Sequence, residues 1–368
     1  MTTMAAPRLD HLRRLTDAQG LLHSARGEVP DRFSGYDTAD NATALRLCAV
    51  GTQTVDAEVS QLLARTYYGC LSRGRRYDSG VHHRCDSTGG WTDRGDDGLI
   101  QAAVARALSA VIVSELPINL RLAAADWWRM LLEEHGRRIH TPLAAANWLI
   151  AIGTLRAADP GRDLARAEGL AHWLVQEFYQ SNRATGWEWY EPQWSPVSAA
   201  IPTGLWYAYH LLGERRLLQV AQAMTEFTIE NLFRDDMLQP VGTLGGWTRG
   251  GAKAAYNQMP AEVCSVVELL CAAERVSGES VYGDYAETAA RWFAGRNSRE
   301  VSMVNPAAGG CHDALTADGI DANQGATAIV SCFLTHAALA ARRVHVEERS
   351  LFTSSPTPTG FLYVDPFV

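Results

Sequence analysis

The sequence predicts an all-α fold, an (α/α)6 barrel or toroid of about twelve helices. Three observations predict it. Twelve stretches carry apolar residues at helical spacing, roughly 7–17, 38–51, 55–74, 97–112, 118–135, 142–158, 162–181, 196–212, 214–232, 259–276, 279–296 and 322–342, and strand-like alternation is sparse. The stretches alternate in character along the chain. The connections between them alternate in length.

Taken in order, the odd stretches are amphipathic. In 118–135, Arg121, Asp126, Arg129, Glu133 and Glu134 sit beside Leu120, Leu122, Trp127, Trp128, Met130 and Leu131. The stretches 162–181, 214–232 and 279–296 read the same way, as helices with one wet face. The even stretches are apolar nearly all round: Leu143 to Leu155, Val197 to Leu212, Ala261 to Ala273 and Ala326 to Ala340. Such a helix must be buried on every side, and its Ala, Gly, Ser and Cys residues permit close packing. An outer ring of the first kind around an inner ring of the second makes six helical hairpins. The connections into the inner helices, 18–37, 75–96, 182–195, 233–258 and 297–321, are long, whereas those leading out are mostly short. Long loops therefore gather at one end, the end expected to carry function. One barrel domain over 1–345 and a C-terminal tail over 346–368 are expected.

Composition narrows the classes. Of 368 residues, 47% are apolar and 20% charged, so disorder is not the default. The net charge is −8, and basic residues cluster only at Arg73-Gly74-Arg75-Arg76, which excludes a nucleic-acid face. No apolar segment opens the chain, and none reaches the roughly 20 residues that span a bilayer. The seven cysteines lack C-x-x-C spacing, and Cys264 and Cys271 lie on an apolar helical run. A reducing, cytoplasmic setting is expected. No cofactor, nucleic acid or membrane partner is expected, and the oligomeric state stays open.

Five clusters on or beside the long loops can carry chemistry. In Gly35 to Ala42, Asp37 or Thr38 can cap the next helix, and Asp40 lies in its first turn beside Tyr36. Gly89 to Gly98 holds Trp91, Asp93, Asp96 and Asp97. Adjacent carboxylates raise one pKa, which suits a general acid. Gly186 to Trp194 holds Trp187, Glu188, Trp189, Tyr190 and Glu191, the most ligand-like segment, since aromatic faces stack on sugar rings. It also reads as a loop packed by its own aromatics. Next come Trp247, Tyr256 and Gln258, with Pro260 opening a helix and Glu262 in its first turn. Last are His312, Asp313, Asn323 and Gln324. Cys311-His312-Asp313 suggests a metal, but adjacent residues rarely converge on one ion, so no metal is expected.

The order of these clusters resembles the helical carbohydrate-active, glycosidase-like domain associated with bacterial group-1 glycosyltransferases. Leu15 to His23 is similar to its LTDd.GilqHa, Gly35 to Ala42 to GYctDDNAR, and Gly186 to Glu191 to gWrWFE. Val241 to Pro260, Trp292 to Asn297, Gly309 to Leu315 and Asn323 to Ala326 follow vGn.gW...G....fdQQP, WFlGrN, GGC.DGL and NqGAES. The match runs from about 9 to 341. This chain departs at Ala39, Thr43, Val197, Asn257 and Thr327, where the pattern has Asp, Arg, Asp, Asp and Glu.

The resemblance implies a barrel whose mouth acts on a sugar. Glycoside hydrolysis with inversion needs two carboxyls about 6.5–9.5 Å apart. The candidate acid is Asp97 or Glu191, and the candidate base is Asp40 or Glu262. Tyr36, Trp91, Asp96, Trp187, Glu188, Trp189, Tyr190, Trp247, Tyr256, Gln258, His312, Asp313, Asn323 and Gln324 are expected to bind substrate. Two alternatives remain: an isomerase or terpene-cyclase-like enzyme on the same toroid, and a catalytically silent sugar-binding relative.

Overall fold

The computed structural model describes residues 8–51, 56–93, 98–136, 138–156, 161 and 163–354, with side chains described as far as residue 347 of the last helix. Asp96 and Asp97 lie outside the described residues.

Six helices form an inner ring: α2 (Thr38–Val50), α4 (Gly98–Val113), α6 (Pro142–Leu155), α8 (Ala200–Leu212), α10 (Pro260–Ser277) and α12 (Ala326–Ser354). Each packs on the next, and α12 returns to α2, so the ring closes. The outer ring is α1 (Asp10–Leu15), α3 (Ala57–Arg73), α5 (Ile118–His135), α7 (Leu164–Trp173 and onward), α9 (Arg215–Leu232) and α11 (Ser280–Ala290). Helix α7 runs through a π-helical turn, Leu174–Tyr179, into Gln180–Asn182. The expected (α/α)6 architecture is present.

Local chemistry sets the helix ends. The Asp37 carboxylate accepts from the Ala39 and Asp40 amides and starts α2. Asp56 does the same for α3, and Thr141 caps α6 ahead of Pro142. Gly213 and Gly278 end α8 and α10 at φ 70° and 80°, a left-handed region that favours glycine. The last inner helix starts at Ala326 rather than 322, because 322–325 form the turn into it.

The inner helices are buried nearly all round, as their composition demands. Small residues allow it. A Cβ on Gly204 of α8 would come within 2.9 Å of the Ala146 backbone of α6. Trp127, Trp128, Trp148, Trp206 and Trp292 fill the space between the rings. Among the described residues, no helix is long and apolar enough to cross a membrane.

The long loops form a rim at the N-terminal ends of the inner helices. They are tied by two-residue strands. Tyr36–Asp37 pairs with Arg84–Cys85, which pairs with Trp91–Thr92. Gln193–Trp194 pairs with Trp247–Thr248, and Gln258 bridges to Leu315. Loops distant in sequence thereby become one surface.

Candidate functional site

The rim divides into two sides. On the first, α2 and α12 begin next to each other. Asp40 is buried in the first turn of α2, and both its oxygens are engaged. Oδ2 accepts from His23 Nδ1 at 2.7 Å, and Oδ1 accepts from Thr327 Oγ1 at 2.7 Å. The bond to Asp40 raises the His23 pKa above its usual value, against the opposing effect of burial. With Nδ1–H directed at Asp40, Nε2 is the nitrogen able to exchange a proton. The His23 side chain is 36% exposed, so solvent and ligands reach it.

Asp313 faces the same place. It accepts from the Gly325 amide at 2.6 Å, and burial raises its carboxyl above the usual range. Asp321 and Asp40 add to that rise, while His23 opposes it. Gly325 separates the two groups: a Cβ there would lie 3.2 Å from both Asp313 Oδ1 and the His23 carbonyl. Asp37 is raised by burial and by the Asp40 charge, and His83 Nε2 stands 3.8 Å from it. A basic ring, an engaged carboxylate and a carboxyl biased toward its protonated form thus share one wall. The His23 imidazole and the Asp313 carboxyl both hold their protons more tightly than usual, and perturbed titratable groups gathered in one place suit acid–base chemistry.

On the opposite face of the paired strands from Asp37 and Arg84, Tyr36 and Trp91 line a separate cavity of about 230 Å³ with Gln19, Arg73 and two cysteines; His23, Asp40 and Asp313 do not line it. Tyr36 donates its hydroxyl to Asp17 at 2.8 Å, and Trp91 stacks on His82. His82 in turn bonds Asp93 at 2.8 Å.

The second side, where α8 and α10 begin, is built differently. Glu262 is buried, with Oε1 accepting from Trp194 Nε1 at 2.8 Å and Oε2 from the Val197 amide. Burial pushes its carboxyl up to about 7, although both bonds favour the ionised form. Trp187, Trp189 and Tyr190 do not line the mouth. They are buried against one another, Trp194, Phe227 and Trp247, with Trp189 stacked on Trp194 at 4.1 Å. A ring packed on both faces cannot stack on a sugar. Glu188 points outward, accepts from the Tyr179 hydroxyl and edges a groove of about 810 Å³ between α7 and α9. Glu191 is half-buried, raised by burial, and 3.5 Å from Ser195 Oγ.

Other expected contacts hold the loops together. The Gln258 amide accepts from Trp292 Nε1 and donates to the Ala255 carbonyl. Asn323 accepts from the Gly27 amide. The Gln324 carbonyl accepts from His11, and its side-chain oxygen is buried with no partner. His312 Nδ1 bonds the Asp321 carbonyl, and burial lowers its pKa. Tyr256 lies under Arg299. Cys311, His312 and Asp313 turn to different partners, so they form no joint ligand set.

Sequence reasoning passed over His23 and Thr327 as site residues. Both lie inside motifs quoted for the resemblance, and Thr327 occupies the position of its Glu. His23 meets Asp40 within one loop and the helix after it, whereas Thr327 meets Asp40 only through closure of the ring, which brings residues 287 positions apart into contact.

No protein-family model matches the sequence. No curated protein matches it. Solved structures do. A sugar epimerase from a ruminal bacterium superposes with a TM-score of 0.70 at 12% identity, covering 91% of this chain and 95% of that one. Cellobiose 2-epimerase from Bacillus thermoamylovorans gives 0.70 at 12%, covering 92% and 96%. An α-1,6-mannanase from Salegentibacter gives 0.61 at 12%, covering 90% and 96%. At this identity the likeness is one of fold: the chain is built as an (α/α)6 barrel.

Proposed function

We propose that the protein is a carbohydrate-active enzyme that moves protons at or beside the anomeric carbon of a sugar. The observation that carries this reading is the His23–Asp40 pair beside Asp313 at the open end of the barrel. Asp40 holds the imidazole by Nδ1, and Nε2 acts as base. Asp313, biased toward its protonated form, acts as donor. The fold neighbours support the choice of substrate class, being named as sugar epimerases and an α-mannanase.

In hydrolysis, His23 draws a proton from water as the water oxygen bonds the anomeric carbon, and Asp313 protonates the departing oxygen. A second reading, sugar epimerisation, is favoured by the identity of the exposed base. An imidazole suits removal of a proton from the carbon beside an open-chain carbonyl, followed by its return to the other face. For the hydrolytic case, one more acid merits testing. The mannanase has been solved as a variant inactive through replacement of two successive aspartates, in complex with an α-1,6-linked mannotetraose. Asp96 and Asp97 are a successive pair ahead of α4 in this chain.

The test is incubation with α-1,6-mannobiose, cellobiose, glucose and mannose in deuterated water, read by NMR. Monosaccharide release marks a hydrolase. A new epimer carrying deuterium marks an epimerase. His23→Gln and Asp313→Asn should each lower the rate about 10²–10⁴-fold. Unchanged turnover in both variants would falsify the assignment of the pair.

A further inference from the structure

The interior of the barrel holds charge that the rim chemistry does not use. Arg46 of α2 and Arg106 of α4 both pair with Glu268 of α10, Arg106 Nη2 at 3.1 Å. Arg106 Nη1 also donates to Asn147 Oδ1 of α6 at 3.0 Å. Two guanidiniums therefore share one carboxylate. The arginines hold the Glu268 carboxyl down at about 2, so it stays ionised and one positive charge is left over at neutral pH. Arg106 Nε is buried with no hydrogen-bond partner. Deeper in, Arg275 lies over the Tyr207 ring at 4.8 Å and adds another cation.

Surplus charge inside a protein is costly unless something compensates it. These groups are walled by inner helices, yet each arginine of the pair keeps 15% of its side chain exposed and Glu268 keeps 19%. Solvent reaches them from within the ring. The wall above them is accessible too. Thr43, between Asp40 and Arg46, and Ala103, one turn before Arg106, are both partly exposed. Arg46 follows Asp40 by six residues on one helix, about 9 Å along the axis. A hexose bearing one acidic substituent is of that length.

We propose that the bore takes the acidic group of an anionic sugar, a hexose carrying a phosphate or a carboxylate, on Arg106 and Arg46, with its reacting carbon at His23. This rests on the carbohydrate reading of the rim and narrows it. Arg106 Nη1 and Nη2 each keep a second N–H beyond the bonds to Asn147 and Glu268, and a guanidinium with N–H groups to spare, in a space of low dielectric, is suited to holding such a group. The same two arginines discriminate against neutral sugars, which leave the surplus charge uncompensated.

The test is calorimetric titration of the whole protein at fixed ionic strength with glucose, glucuronate, glucose 6-phosphate and inorganic phosphate. At least one acidic sugar is expected to bind ten-fold or more tightly than glucose, and the two acids separate carboxylate from phosphate. Arg106→Gln should remove that preference, the acidic sugars falling to the affinity of glucose, since Glu268 then neutralises Arg46. Thr43→Leu fills the bore without touching the ion network and should remove the preference as well, which covers the case in which Arg106→Gln fails to fold. Equal affinity for glucose and both acids in the wild type overturns the proposal, as does a preference that survives in either folded variant. Phosphate bound through Arg106 with no saccharide bound would uphold the anion site while the carbohydrate reading fails.

Discussion

The two sides of the barrel rim use similar residues for opposite purposes. Where α2 and α12 begin, a buried carboxylate meets a half-exposed histidine and a threonine hydroxyl, and a second carboxyl stands near. Where α8 and α10 begin, a buried carboxylate meets an indole N–H and a backbone amide beneath packed tryptophans. Asp40 and Glu262 both sit in the first turn of an inner helix. Only Asp40 is bonded to a group that can exchange a proton with a ligand. Position at a helix start is therefore not what makes a carboxylate chemical; its partner decides.

The most direct way to break this comparison is to remove each carboxylate. Asp40→Asn is expected to lower turnover about 10²–10⁴-fold with a small change in melting temperature, because the amide still occupies the bonds. Glu262→Ala is expected to cost about 3–4 kcal/mol of stability, since two buried donors lose a charged acceptor. Urea denaturation and kinetics on the same samples check both. If Glu262→Ala folds well and loses turnover, the two sides have been assigned the wrong way round.

Acidity sharpens the contrast. Glu262 titrates at about 7 in the fold, above its ordinary 4.5. A carboxyl raised by folding prefers its proton in the native state. Its contribution is therefore full below pH 4.5 and falls, by roughly 3 kcal/mol, as pH rises to 7. Melting curves from pH 8 down to 5.5 should show the gain in wild type and a flatter slope in Glu262→Gln. His23 is raised as well, so its stabilising contribution is full below pH 6.5 and is lost through its folded pKa. Turnover that needs neutral His23 must rise over that same interval. Activity climbing while stability falls is the expected signature. Parallel pH profiles would remove His23 as the base.

A smaller effect is expected at Gly325. A Cβ there would press on Asp313 Oδ1 and the His23 carbonyl, each at 3.2 Å. Gly325→Ala should lower turnover about ten-fold by displacing the donor, with under about 1 kcal/mol lost in stability. Unchanged kinetics would place the working proton donor elsewhere, with Asp97 next to be tested.

The fold was legible because a helix apolar all round has nowhere to go but an inner ring, and six such stretches separate six amphipathic ones. The proposed site was legible only in part. Asp40 and Asp313 stand out as polar residues in long loops and helix starts. His23 does not, because a lone histidine in a loop gives no sign that the loop folds back to set it on Asp40, seventeen residues on. The segment Gly186 to Trp194 misleads for a physical reason: a run of tryptophans carries the same residues whether its rings face a ligand or one another. Arg106 and Glu268 were passed over, because their helices read as apolar nearly all round and only the closed ring brings the two charges together.

The finest test of the packed side compares two neighbouring tryptophans. Trp189 and Trp194 stack on each other at 4.1 Å, and both are buried. Changing either to Phe removes a similar area of ring, so the packing cost should be alike. Their nitrogens differ. Trp194 Nε1 donates to Glu262 at 2.8 Å, whereas Trp189 Nε1 is buried with no partner. Trp194→Phe leaves a buried carboxylate one donor short, while Trp189→Phe removes an unmet donor and offsets part of its own packing loss. Trp194→Phe should therefore cost about 1.5–3 kcal/mol more. It should also push the Glu262 transition in the pH–stability curve upward, because a donor that favours the ionised form is gone. Equal costs and an unmoved transition would mean that Trp194 does not hold Glu262, leaving that carboxyl free to serve as the second acid of the rim.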